Sequence, residues 1–263
     1  MLVDSHCHLN LLDLTPFGDS VYPVVAEARE AGIGHMLCVS VDLETFPDIR
    51  KLAQDYPEVS VSVGVHPNTR ESTEPTVEQL VELATAPEVV AIGETGLDYF
   101  RSEGDLEWQR ERLRIHIAAA KECGKPLIIH TRQAKEDTLR ILQEENAGEV
   151  GGVFHCFTED WEMAKEGLDL GFYISFSGIV TFRSASALQK VAAQVPADRL
   201  LIETDSPYLA PVPYRGKPNQ PAYVRYVAQC IAKLRKTSVA DIEDLTSENF
   251  FSLFSRAGAD RLF

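Results

Sequence analysis

Short apolar runs recur along the chain, each followed by a stretch whose apolar positions return at helical spacing. The runs fall at Leu2–His8, Ile33–Ser40, Val59–His66, Val89–Glu94, Leu127–Thr131, Val153–Phe157, Phe172–Phe176 and Leu200–Asp205. Between them amphipathic helices are expected, clearest at Leu106–Cys123, Lys135–Glu144 and Ala185–Val195, with two more near Ala222–Leu234 and Val239–Phe254. Strand and helix alternating in this way predict βα units and a parallel sheet. Eight strands predict an α/β fold closed as a (β/α)8 barrel, the TIM barrel, rather than an open sheet. The stretch Ala210–Pro221 (APVPYRGKPNQP) is too proline-rich for helix and reads as an irregular loop.

Composition narrows this picture. The 263 residues suit one barrel-sized domain spanning 1–263, and a hydrophobic share of 44% fills one large core. No stretch approaches the ~18 consecutive apolar residues of a membrane-spanning helix. The chain opens directly into a strand pattern without a basic, apolar leader, so a cytoplasmic protein with no membrane contact is expected, as a monomer. Cys7, Cys38, Cys123, Cys156 and Cys230 form no CxxC pair, which fits reduced thiols. A net charge of −15 argues against broad non-specific adhesion to nucleic acid. It leaves room for a nuclease whose metal ions and a few arginines make one cleft locally positive.

In a barrel of this type the chemistry sits at the C-terminal ends of the strands. The first run ends Asp4-Ser5-His6-Cys7-His8, where period-two alternation puts His6 and His8 on one face and Cys7 on the other. The fourth leads out through Gly93-Glu94-Thr95-Gly96-Leu97-Asp98, where Glu94 is a carboxylate leaving an apolar strand, costly to bury unless paired or bound to metal. His130 and His155 end the fifth and sixth runs, and Glu203 and Asp205 lie on one face of the eighth. Imidazoles and carboxylates together suit a pair of divalent ions such as Zn²⁺, Mn²⁺ or Mg²⁺. Glu94 is the natural bridge, since a carboxylate has two oxygens to share. Two metals would activate a water for hydrolysis; Asp205 would bind one of them and accept the water's proton. Glu203, one layer deeper, would fix the tautomer of a ligating histidine.

The segments DSHCH, GVHP, GETGLDYF, IIHTR, VFHCF, ETDSPYLAP and RGKPN, with SENFFSLF near the C-terminus, resemble the TatD family of metal-dependent hydrolases within the amidohydrolase-like superfamily. The resemblance runs from the first residues to the final helix. It implies a TIM barrel, one or two divalent metals and phosphodiesterase activity on DNA, in most members a 3′→5′ exonuclease preferring single strands. Carried onto this chain, the family's metal positions match His6, His8, Glu94, His130, His155 and Asp205. Related barrels often bridge their metals with a carbamylated lysine from the fourth strand. Here that strand supplies Glu94 and no lysine, which points away from dihydroorotases and phosphotriesterase-like enzymes.

Around this centre, Arg132 lies two residues beyond His130 and suits a bidentate phosphate clamp; the alternative is a surface salt bridge. His66 follows an alternation of valines with Ser60, Ser62 and Gly64, and either contacts substrate or packs. Arg215 and Lys217, with Asn219 nearby, bring positive charge over the site or belong to a solvated loop. Tyr99, Phe100 and Arg101 read as packing residues before they read as a stacking face. His35 and His116 are expected to be structural, and Cys7 and Cys156 to face the helix layer. The leading function is removal of nucleotides from DNA 3′ ends. A second is ester hydrolysis of the D-aminoacyl-tRNA deacylase kind, and a third, disfavoured by the intact ligand set, is an inactive scaffold.

Overall fold

The apolar runs become eight strands: β1 (Leu2–Cys7), β2 (Ile33–Cys38), β3 (Val59–Val63), β4 (Val89–Asp98), β5 (Leu127–Arg132), β6 (Gly152–Phe154), β7 (Tyr173–Phe176) and β8 (Leu200–Ile202). The computed structural model describes residues 1–70 and 72–261; Glu71, Leu262 and Phe263, which the expected span 1–263 includes, lie outside the described residues. Helices α1 (Tyr22–Glu30), α2 (Phe46–Asp55), α3 (Val77–Leu83), α4 (Glu107–Cys123), α5 (Lys135–Glu144), α6 (Trp161–Asp169) and α7 (Ser186–Gln194) alternate with the strands, and α8 (Val224–Arg235) and α9 (Val239–Leu253) follow. Local signals set several boundaries. Thr76 and Ser238 form capping boxes with Gln79 and Asp241, Asp160 caps α6, and Gly124 ends α4 in the left-handed region.

The strands pair in chain order and parallel throughout. The barrel is nearly closed by the segment after β8, where the Asp205 N–H donates to the His6 carbonyl (2.9 Å) and the His8 N–H to the Ser206 carbonyl (2.8 Å). Strand parity divides the core. Leu127, Ile129, Phe154, Leu200 and Ile202 face the helices, while Ile128, Val153 and Leu201 fill the interior with Val3 and Leu37. Phe250 and Phe254 join the interior set from the C-terminal segment. Ser247 Oγ donates to the Met1 carbonyl (2.5 Å), and Asn249 Nδ2 to those of Ala197 and Leu200 (2.8 and 2.9 Å). Helix α9 thus plugs the N-terminal end of the barrel and leaves the C-terminal end as the open mouth.

Several expected strands overrun the observed ones. His8, His66, His155, Glu203 and Asp205 lie just past the ends of β1, β3, β6 and β8, whereas β4 runs on through Glu94 to Asp98. The chain bends out of the ladder at these places: Cys156 and Asp205 adopt φ of 43° and 55°. Ala210–Pro221 is irregular, with only a single 3₁₀ turn beginning at Pro221.

Candidate metal centre

Parity delivers the polar residues to the mouth. On β5 the inward Ile128 is followed two residues on by His130, on β6 Val153 by His155, and past β8 Leu201 by Glu203. The segment after β3 passes so close to β4 that a Cβ on Gly64 would stand 2.6 Å from the Gly93 backbone, and this approach brings His66 against Glu94. The six residues expected as metal ligands, His6, His8, Glu94, His130, His155 and Asp205, converge. Glu94, 2% exposed, divides them between its two oxygens. Oε2 faces His6 Nε2 (3.3 Å) and His8 Nε2 (3.9 Å), which meet Asp205 Oδ1 at 3.7 and 3.4 Å. Oε1 faces His155 Nε2 (2.7 Å), His130 Nδ1 (3.0 Å) and His66 Nε2 (3.3 Å).

The outer nitrogens explain why this crowd calls for a cation. His8 Nδ1 lies 3.0 Å from the Val39 carbonyl, His155 Nδ1 3.3 Å from Glu203 Oε1, and His130 Nε2 3.2 Å from Asp98 Oδ2. Each of these partners is an acceptor, so each outer nitrogen carries the proton and the inner one presents a lone pair. Those lone pairs point at each other and at carboxylate oxygens: His6 Nε2 and His8 Nε2 are 3.2 Å apart. Electron pairs at such separations repel unless a proton or a metal ion lies between them. The described residues lining the cleft offer Arg101 and Arg132 as cations, and neither pairs with these carboxylates. The donor set of neutral imidazoles and carboxylates therefore fits divalent metal.

Electrostatics tell the same story. Burial opposes charge on Glu94, but His155, His66 and His130 outweigh it and hold its carboxyl well below the usual carboxylate range. Burial pushes His155 down while Glu94 and Glu203 push harder the other way, leaving it well above an ordinary imidazole. Without metal, a proton is drawn into the space that a metal ion would take.

The centre forms the floor of a cleft of about 860 Å³. Arg132 and His66 line it; Arg215 and Lys217 do not. Arg215 instead stacks on Phe182, 4.3 Å from its ring centre, and Lys217 lies 5.9 Å from the Tyr214 ring. Asn219, 1% exposed, straps the β8 loop by donating to the carbonyls of Thr204 (2.8 Å) and Tyr208 (2.5 Å). Tyr99 packs through its hydroxyl on Asp137 (2.6 Å), while Phe100 stays exposed beneath Arg132. Cys7 is buried in the helix-facing core, but Cys156 lines the cleft, because its left-handed backbone turns it out of the strand. Glu203 reaches His155 as the alternation predicts, although it lies past the strand.

Asp98 is the functional candidate that motif reading passed over. It is 1% exposed; Oδ2 accepts from His130 and Asn68, and Oδ1 from the Phe100 and Arg101 N–H groups. Its signal in the sequence was a second acidic residue four positions after Glu94, on a strand read as ending too early.

Comparison with known proteins places the chain in a family. The family model "TatD related DNase" matches residues 3–255. The metal-dependent hydrolase YcfH of Escherichia coli K12 is 49% identical over 253 residues, covering 96% of this chain and 95% of its own. The 3′-5′ ssDNA/RNA exonuclease TatD of Klebsiella pneumoniae is 35% identical over 237 residues, covering 88% and 90%. Among solved structures, the TatD homolog YJJV of E. coli K12 superposes with a TM-score of 0.89 at 28% identity, over 97% of this chain and 98% of that one. With matches of this extent, the chain belongs to the TatD family of metal-dependent hydrolases.

Proposed function

We propose that this protein is a 3′→5′ exodeoxyribonuclease acting on single-stranded DNA ends, with two divalent ions held by His6, His8, Glu94, His130, His155 and Asp205. The observation that carries the reading is the division of donors between the two oxygens of Glu94, one group on each, with pinned lone pairs facing inward. The Klebsiella relative's name supplies the substrate class. When bound, the ions supply Lewis acidity, lowering the pKa of water and neutralising charge on a phosphodiester.

The chain's own groups do the rest. Glu203, Asp98 and the Val39 carbonyl hold His155, His130 and His8 in the tautomers that keep their inner nitrogens free. Asp205, at the mouth side of this set, takes a proton from the attacking water. Arg132, on the cleft wall, holds a phosphate of the bound strand. The water oxygen bonds to phosphorus, the bond from phosphorus to the 3′ oxygen breaks, and that oxygen leaves protonated.

Digestion of a 5′-labelled single-stranded oligonucleotide with Mg²⁺ or Mn²⁺ tests this. A ladder shortening from the 3′ end is expected, abolished by EDTA and by His155→Ala prepared identically. An intact oligonucleotide in the presence of metal-loaded protein would overturn the nuclease reading and move the substrate to a carboxylic ester.

A further inference from the structure

The wall of the cleft is chemically lopsided. Loops after β7, β8 and β1 adjoin one another and contribute Ile179, Tyr208, Leu209 and Leu11; above the floor residues His8 and Asp205 this arc carries no charge. Tyr208 and Leu11 are 54% and 38% exposed, so both present apolar surface to a ligand in the cleft. The Tyr208 ring stands 6.4 Å from the ring of His8, beside the candidate metal centre. The loop after β4 and the last residue of β5, across the barrel, contribute Arg101 and Arg132. Neither guanidinium has a carboxylate within ion-pair distance among the described residues, so both charges are available to a bound anion. Arg132 is held by Phe100 beneath it, 3.9 Å from ring centre to guanidinium carbon.

We infer that the two arcs receive the two sides of the scissile bond: the base of the terminal nucleotide stacks on Tyr208, and the remaining strand runs over Arg101 and Arg132. This rests on the exonuclease reading and adds which residues recognise the end. The departing nucleotide carries only the scissile phosphate, so beyond that phosphate it presents sugar and a flat base, and a neutral aromatic arc suits it. The rest of the strand carries one charge per nucleotide, and unpaired guanidiniums suit that. Hydrolysis then releases a nucleoside 5′-monophosphate from the Tyr208 side and leaves a 3′ hydroxyl on the arginine side. No redox partner is involved.

Steady-state cleavage of two substrates by metal-loaded protein tests the assignment: an oligothymidylate, and the dinucleotide TpT, which has one phosphodiester and no further phosphate. Tyr208→Ala is expected to raise KM about tenfold on both, and Tyr208→Phe to restore it, as loss and recovery of one stacked base require. The double variant Arg101→Gln/Arg132→Gln is expected to raise KM much more on the oligomer than on TpT. It should also flatten the dependence of log KM on log salt by roughly 1–2. Wild-type KM in Tyr208→Ala, or an arginine effect equal on both substrates, would overturn the assignment and leave the exonuclease reading standing. Wild-type protein that cuts neither substrate overturns both.

Discussion

His116 and His155 are both buried histidines, one in the seam between α4 and the segment after β3, the other at the mouth. In the seam, His116 Nδ1 donates to the Arg112 carbonyl (2.7 Å), and Nε2 accepts from the Val65 N–H (3.0 Å). Donor meets acceptor on both sides, and nothing further is needed; His35, 2.8 Å from Ser60 Oγ, lies in the same kind of surroundings. At the mouth, His155 has a satisfied outer nitrogen and an inner one 2.7 Å from a carboxylate oxygen and 3.5 Å from His130. The difference shows that burial alone says little about a histidine. What marks the metal-binding candidates is acceptor facing acceptor.

Breaking that confrontation at its centre should have the largest effect. Glu94→Gln removes the charge shared by the two groups of donors. Its kcat/KM is expected to fall at least about a thousandfold, the scale of several kcal/mol of lost transition-state stabilisation. Metal content by elemental analysis should fall with it, and EDTA should reproduce the loss in the wild type. A Glu94→Gln protein that kept its metal and its turnover would overturn the role of Glu94 as the carboxylate shared by the two groups of donors.

Much of this contrast was legible in the sequence, because strand parity is local. The apolar neighbours Ile128 and Val153 were enough to aim His130 and His155 inward, and the same pattern placed Cys7 among the helices. Parity fails where the ladder ends. Cys156 turns into the cleft through a left-handed backbone, and β4 continues four residues past Glu94, carrying Asp98 to His130. Long-range packing was not legible either. Nothing in the string RGKPN shows that Phe182 holds Arg215 or that Asn219 ties down its own loop. The separation of apolar from cationic walls depends on which loops adjoin around the barrel, and that needs the closed fold.

A smaller perturbation sharpens the comparison by leaving every metal-facing atom in place. Asp98→Asn keeps one oxygen for the Phe100 and Arg101 N–H groups but presents an amide N–H₂ to His130 Nε2. Nε2 must then become the acceptor, which moves the imidazole proton to Nδ1, toward Glu94. Metal affinity and kcat/KM are expected to fall about 10- to 100-fold, with the fold intact. Metal titration of the apo-protein separates this from a general loss of stability. Unchanged affinity would mean that Asp98 does not set the tautomer of His130.

The smallest effect tests the other half of the comparison, the claim that the seam is complete as it stands. Burial pushes His116 down to about 4, against an ordinary 6.5, with the Arg112 charge adding to the shift and its carbonyl opposing it. Between those values the unfolded chain binds a proton that the native state refuses. The stability His116 contributes is therefore fully present above 6.5 and is lost as pH falls toward 4. At about pH 5.5 the loss relative to neutral pH is about 1 kcal/mol, or roughly 2–4 °C in Tm for a chain of this size. The measurement is a difference, so that contributions of other groups cancel: Tm against pH for wild type and for His116→Gln. The wild type should fall more steeply between neutral pH and about pH 5.5, by the amount given. Parallel curves would mean that His116 accepts a proton in place, and that the seam, like the mouth, has an acceptor waiting for a cation.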